Sequence, residues 1–333
     1  MKKKIAIVFA FIFIGSFAGL FIFSSERKTI SDDDYNKALA HSNEVFSVVL
    51  PDHVAFAGEE PPLGLYYVRE GLDRELTVNA YWHSSTIIII KRAARYFPVI
   101  EPILKANGVP NDFKYLALIE SGLTNVVSPA GASGIWQIIS ETGKRYGLEI
   151  NDEVDERYLL EKSTIAACRI LKASYNKYNN WTLAAAAYNA GDGRIDKELK
   201  RQKVTNFYDL YLNAETSRYL YRILALKLLY ETPTKYGFYL RKKDLYPNIP
   251  TYTVKVDSAI ENLIDFALLH KVNYRILKEF NPWLRQDKLT NPTHKSYIFT
   301  FPKAGYIEYA MLLKDNAESN DIFNDSVQNS IKH

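Results

Sequence analysis

One cysteine, Cys168, stands in 333 residues, so no intrachain disulfide is available and no CxxC pair or Cys/His cluster exists to hold zinc. The fold must be held by packing. Glycine is also scarce, at 15 residues, which excludes a collagen-like chain. Charge of one sign is not in excess, since 42 Lys+Arg face 38 Asp+Glu for a net +4. A nucleic-acid-binding face needs a basic stripe, and this small, dispersed excess excludes one. What the chain does have is apolar and aromatic mass: 47% hydrophobic residues, with 24 tyrosines and 17 phenylalanines. That is ample for real cores, and the length fits about two domains. The rings are either core or platforms on which sugar or base rings stack.

The one long apolar run is Ile5 to Phe23, preceded by Lys2, Lys3 and Lys4. It exceeds a usual signal-peptide core and approaches the ~20 residues that span a bilayer. The lysines set the N terminus inside and the rest of the chain outside. The run is expected to act as an uncleaved membrane anchor, with cleavage near Ser24 or Ser25 as the alternative. No cysteine lies near its end, so lipid modification is not expected.

Residues 26–70 mix Asp32, Asp33 and Asp34 with Gly58-Glu59-Glu60-Pro61-Pro62 and read as a stalk followed by a loop. Ser85 to Asn107 predicts a helix with a kink or break at Pro98 or Pro102. Pro110, Asn111 and Asp112 predict the start of a second helix that runs to Glu120. The Ser128–Gly134 loop is expected to lead into a short helical piece around Trp136. Ser163 or Thr164 is expected to cap a helix carrying Ala167, Ile170, Leu171 and Tyr178 on one face. Trp181 to Ala190 and Leu220 to Leu229 read as buried helices. Thr232 to Pro250 reads as a linker, because Pro233, Gly237, Pro247 and Pro250 break any pattern. Thr251–Val256 and Ser296–Phe301 alternate as strands around two helical segments, giving a β-α-α-β unit. The polar stretch from Asn316 to His333 is expected to be disordered.

One acid stands at the end of a predicted helix beside a glycine-rich loop: Glu120, in Ala117-Leu118-Ile119-Glu120-Ser121-Gly122. The negative end of the helix dipole, with any apolar enclosure, raises a carboxyl pKa toward what a general acid needs near neutral pH. An exposed glutamate on an amphipathic helix would look the same in sequence. Gly134-Ile135-Trp136-Gln137 offers an aromatic face and an amide, and Ala187-Tyr188-Asn189-Ala190-Gly191 a phenol and an amide at a helix end. Each is weak alone.

Taken in order with Glu215-Thr216-Ser217-Arg218-Tyr219, these strings resemble the soluble-lytic-transglycosylase family over about residues 95–232, and Phe56-Ala57-Gly58-Glu59 fits the same likeness. The resemblance implies a mainly α, lysozyme-like catalytic domain that cleaves the β-1,4 bond between N-acetylmuramic acid and N-acetylglucosamine in peptidoglycan. Glu120 matches the family's single acid/base. Ser128 and Gln137 match positions that line the muramic-acid subsite, and Tyr188, Asn189 and Glu215 positions along the sugar groove. Ile135-Trp136 replaces the more usual Leu-Met pair, so Trp136 either stacks on sugar or packs. With one carboxylate rather than the two of an ordinary glycosidase, the muramic acid's own C6 hydroxyl would attack C1 and close a 1,6-anhydro ring. No metal, cofactor or nucleic acid is implied.

Thr251 to Pro302 resembles a degenerate LysM carbohydrate-binding module through Tyr252-Thr253-Val254-Lys255, Leu277-Lys278-Glu279-Phe280-Asn281-Pro282 and Ile298–Pro302; Val256-Asp257 stands where Gly-Asp is usual. The implied organisation is an anchor or signal at 1–25, a stalk and extension at 26–94, a catalytic domain at 95–232, a linker at 233–250, a small α+β LysM-like module at 251–303 and a polar tail at 304–333. The implied partner is peptidoglycan glycan in a bacterial envelope, with the membrane added if the anchor stays. A water-using muramidase of the same fold and a non-catalytic glycan-binding scaffold are the competing readings.

Overall fold

The computed structural model describes residues 47–315 and 321–324. The expected anchor, Ile5 to Phe23, lies outside them. Among the described residues no helix is long and apolar enough to cross a membrane. Over the described residues the chain is mainly helical with one two-stranded antiparallel sheet.

Helix α1 (Tyr66–Tyr81) is followed almost at once by α2 (His83–Ala106). In α2 the buried positions Ile90, Ala93, Phe97, Ile100 and Leu104 recur every three or four residues, the spacing of one helix face. The helix continues through Pro98 and Pro102 instead of breaking. Both prolines face solvent, where water can satisfy the carbonyls whose hydrogen bonds they remove, and the buried stripe offsets their cost of roughly 3 kcal/mol each.

A 3₁₀ turn, Asn111–Phe113, leads into α3 (Lys114–Ser121), which ends at Gly122 in the left-handed conformation (φ 58°). After α4 (Ser140–Arg145), α5 (Leu160–Tyr178) packs on α2 and on α6 (Trp181–Ala190). Helix α5 begins a turn earlier than the sequence predicts. Ser163 and Thr164 lie inside it, buried, and donate to the Leu160 carbonyl rather than capping. Helix α7 (Asp192–Gln202) is amphipathic. Helix α8 (Ala214–Glu231) is buried along most of its length and packs against α1, α3 and α6. One hydrophobic core runs from Val54 to Leu240.

The expected linker is not free. Phe238 and Leu240 are buried in that core, Tyr246 N–H donates to the Lys91 carbonyl, and Arg95 Nε donates to the Pro247 carbonyl. Nor is all of the polar tail loose: Ile322 bridges Arg241, and the Phe323 ring packs 5.3 Å from that of Tyr230. One phenylalanine with an edge to join outweighs a polar composition.

The C-terminal unit is β1 (Thr251–Val256), α9 (Leu263–Leu269), α10 (Tyr274–Phe280) and β2 (Tyr297–Pro302), followed by a short α11 (Tyr309–Asp315). The strands pair from Thr251↔Pro302 to Val256↔Tyr297. Tyr297, Phe299 and Phe301 alternate inward along β2 and meet Leu263, Ala267 and Leu277 from the helices. Val154 and Tyr158 of the helical body complete this second core.

Candidate active site

Helix α3 brings Glu120 to the place where its last turn meets α8 and the 131–138 turn. Tyr219, in the second turn of α8 and 2% exposed, donates its phenolic O–H to Glu120 Oε1. Burial pushes the Glu120 carboxyl up to about 7; the Tyr219 hydrogen bond and the Arg222 charge pull it down, and the Glu215 charge pushes it up again. Burial wins because a carboxylate stripped of water and given one strong donor lacks the hydration it had in the unfolded chain.

The glycine-rich segment is a tight turn closed by a bridge between Ser133 and Ile138, not the expected helical piece. Gly134 adopts φ 79° and Gln137 φ 48°. Only a glycine fits at 134, because a Cβ there would lie 2.1 Å from the Arg157 carbonyl oxygen. The turn is gripped from two sides of the site. Ser121 Oγ, next to Glu120, donates to the Ile135 carbonyl at 2.8 Å, and Tyr188 O–H donates to the Trp136 carbonyl at 2.7 Å.

Trp136 itself is fully buried and its indole N–H donates to Thr164 Oγ1 at 2.8 Å. It offers no face to a sugar, which corrects the expectation of a substrate-binding side chain; its backbone carbonyl is what reaches Tyr188. Gln137 spends its amide nitrogen on the Val126 and Gly134 carbonyls, 3.0 and 2.8 Å away, while its amide oxygen accepts no hydrogen bond among the described residues. Ser128 Oγ accepts from the Ala132 N–H at 3.1 Å and so shapes its own loop.

Tyr188 lies near the C-terminal end of α6, its phenol pushed well above the ordinary range by burial, then by the neighbouring Glu120 and Cys168. Cys168 is therefore close under the site, not remote from it as its place in the sequence implies; it is buried, and its thiol is pushed up to about 12 by that burial. Asn189 follows Tyr188, half-buried, its side chain without a hydrogen bond among the described residues. Glu215 is exposed in the first turn of α8, one turn before Tyr219. The structure thus gathers Glu120, Tyr188, Tyr219 and the 134–137 turn into one cluster, with Glu215 acting on it through charge. Asn189 sits beside Tyr188 on α6 and Ser128 in the loop before the turn, and neither side chain is hydrogen-bonded to Glu120 among the described residues.

Two contributors lie inside the quoted strings without being marked there as site residues. Tyr219 closes the Glu215–Tyr219 string, and its four-residue spacing from Glu215 puts both on one face of α8. Glu59 sits in a two-residue turn with Ala57 at φ 53° and Gly58 at φ 82°. Its carboxylate accepts from Trp181 N–H at 2.6 Å, Thr182 N–H at 2.9 Å and Thr182 Oγ1 at 2.6 Å. It anchors the N terminus of the helix whose other end carries Tyr188, where the helix dipole favours negative charge.

Comparison with known proteins matches this arrangement to a class. Residues 97–210 match the transglycosylase SLT domain, and residues 252–305 match the soluble lytic transglycosylase C-terminal LysM-like domain. The first match falls on the helical body and the second on the C-terminal unit. Among individual proteins, membrane-bound lytic murein transglycosylase D of Escherichia coli K12 is 34% identical over 199 residues, covering 57% of this chain and 43% of that relative. The chain thus spans less than half of that relative's length. A putative tributyltin chloride resistance protein of an Alteromonas strain is 28% identical over 114 residues, covering 34% of this chain and 55% of its own. Among solved structures, the 70 kDa soluble lytic transglycosylase of E. coli aligns with a TM-score of 0.37 at 24% identity over 42% of this chain and 24% of that one.

Proposed function

We propose that this protein is a peptidoglycan lytic transglycosylase that cleaves the MurNAc-β-1,4-GlcNAc bond with Glu120 as its single acid/base. The observation that carries the reading is a carboxyl held near pKa 7 at the end of α3, with the SLT-domain match around it. Such a group is protonated for a useful fraction of the time at neutral pH and gives up its proton readily. Glu120 donates that proton to the glycosidic oxygen as the C1–O bond breaks. The resulting carboxylate takes the proton from the muramic acid's C6 hydroxyl while O6 bonds to C1. The proton count closes without water, and the intramolecular attack has a high effective molarity. Tyr219 orients the carboxyl, and Tyr188 holds the turn that presents Gln137. Glu215, the other carboxylate acting on the site, is solvated and suits sugar binding better than nucleophilic attack.

In this reading residues 95–232 carry the chemistry, 26–94 scaffold it, and 251–303 add a LysM-like contact with glycan. The site of action is the bacterial cell envelope, to which the Ile5–Phe23 run would tether the enzyme. Digestion of purified peptidoglycan followed by mass spectrometry tests the reaction. Released fragments should end in 1,6-anhydro-muramic acid, lighter than reducing ends by one water. Reducing ends would assign a muramidase instead, and no release would leave a glycan-binding scaffold.

A further inference from the structure

The 131–138 turn has a third grip, from outside the site. Arg157 is buried, its side chain 10% exposed, and its guanidinium uses every face it has. Nη1 donates to the Gly131 carbonyl at 2.9 Å and the Ile138 carbonyl at 3.2 Å, the two ends of the turn. Nε and Nη2 fork onto the Asp155 carboxylate at 2.9 and 2.6 Å. The Arg157 carbonyl, in turn, is the group that fills the space where a Gly134 Cβ would be.

Asp155 does not stand alone either. Its backbone N–H donates to the Trp283 carbonyl at 2.8 Å, Arg285 N–H donates to the Glu153 carbonyl at 2.8 Å, and Val154 bridges Leu284. Around this short backbone seam, Thr290 N–H and Oγ1 donate to Glu153 Oε2 at 2.8 and 3.0 Å, and Lys295 joins Glu149 to Glu156. The loop carrying Asp155 and Arg157 is thus clamped between the C-terminal unit and the turn.

We propose that Arg157 is a positioning residue for the sugar-binding turn, and that the C-terminal unit, by bracing the Asp155–Arg157 pair, takes part in placing substrate as well as in any glycan contact of its own. The proposal rests on the transglycosylase reading for its kinetic consequence but on geometry for the coupling. A non-glycine residue at φ 48° persists only where its surroundings over-determine it. Gln137 is that residue, and its backbone is fixed by the bridge whose Ile138 end Arg157 holds. Forked recognition of one carboxylate while a third nitrogen spans two carbonyls needs a planar guanidinium, and lysine supplies a single point.

The test uses the full chain and a short, peptide-free, soluble glycan, assayed well below each variant's melting temperature. Arg157→Met should raise KM about tenfold, and Arg157→Lys should recover part of that loss. The seam pair Lys295→Met/Glu153→Ala, distant from the sugar, should raise KM about threefold. Amide exchange at Ala132 and Ile138 should quicken in both. Arg275→Ala, an exposed change in the same unit away from the seam, should leave both readings at wild type. A folded seam pair with wild-type KM and wild-type exchange would overturn the coupling, and decides the matter even if Arg157→Met does not fold. A wild type that cleaves nothing would count against the proposed reaction, while the exchange comparison would still judge the coupling.

Discussion

The site around Glu120 and the C-terminal unit treat buried polar groups in opposite ways. In the C-terminal unit Asn281 is fully buried, and its amide donates to the Leu277 carbonyl at 3.0 Å and the Thr300 carbonyl at 2.8 Å while accepting from Thr300 N–H at 2.8 Å. Asn291 does the same for the Asp257 and Lys295 backbone, and Asn262 and Asn273 cap the two helices. One buried donor there, the Trp283 indole N–H, has no hydrogen-bond partner among the described residues. Around Glu120, by contrast, burial raises a carboxyl and two phenols above their ordinary pKa values, and the Glu120 charge pushes both phenols further although each donates a hydrogen bond. Polar groups with partners hold a fold, and desolvated titratable ones store a chemical bias. The site is the place where the body gives up stability for reactivity.

The largest effect should come from Glu120→Gln. The variant keeps the shape but carries no transferable proton, so glycan release should fall by more than about a thousandfold. Its stability should move the other way. The Glu120 carboxyl is raised in the folded state, so the wild type loses stability as pH rises from the unfolded value near 4.5 through about 7, and the loss is complete above that. The glutamine variant escapes the penalty. At pH 8 it should be more stable than the wild type by about 2 kcal/mol, and at pH 4 nearly equal. Paired melting curves at the two pH values check this, and a variant that is less stable at pH 8 would remove the strain from Glu120.

This contrast was only partly visible in the sequence. The apolar-rich stretch Ser85–Asn107 and the alternation in Ser296–Phe301 mark a helix of the body and a strand of the small sheet, because burial leaves its mark on composition. Glu120 was marked by its place between a helix end and a glycine-rich loop. Trp136 stays ambiguous in the sequence because an aromatic beside an active turn looks the same whether it faces ligand or core, and its burial with a hydrogen bond to Thr164, 28 residues on, distinguishes them. Glu59, Asp155 and Arg157 act across long sequence separations through backbone groups, which carry no residue-type signal. The chain from Thr232 to Pro250 read as a linker since its prolines break every period, yet single residues such as Phe238 and Leu240 were enough to bury it.

The complementary change in the C-terminal unit is Asn281→Ala. It removes three satisfied hydrogen bonds and leaves the Thr300 backbone groups buried without their partner, so the unit should lose about 2–3 kcal/mol at every pH from 4 to 8. Calorimetry that resolves the unit's transition measures the loss. A pH-dependent or stabilising effect would abolish the distinction drawn between the two regions.

The smallest change probes how the bias on Glu120 is set. Tyr219 is its direct donor, and that hydrogen bond favours the charged form, so Tyr219→Phe takes away a contribution that lowers the pKa while burial, which raises it, remains. The Glu120 carboxyl should then titrate above its wild-type position near 7. The alkaline limb of the kcat/KM profile, which reports deprotonation of the acid in the free enzyme, should shift to higher pH. Activity at the optimum should fall about tenfold, because a carboxyl without its donor is less well aimed. The two readouts separate a positioning tyrosine from a merely packed one: loss of packing alone lowers the rate at all pH values and leaves the limb where it was. A profile unmoved by Tyr219→Phe would mean that burial and the Arg222 and Glu215 charges set the acidity by themselves.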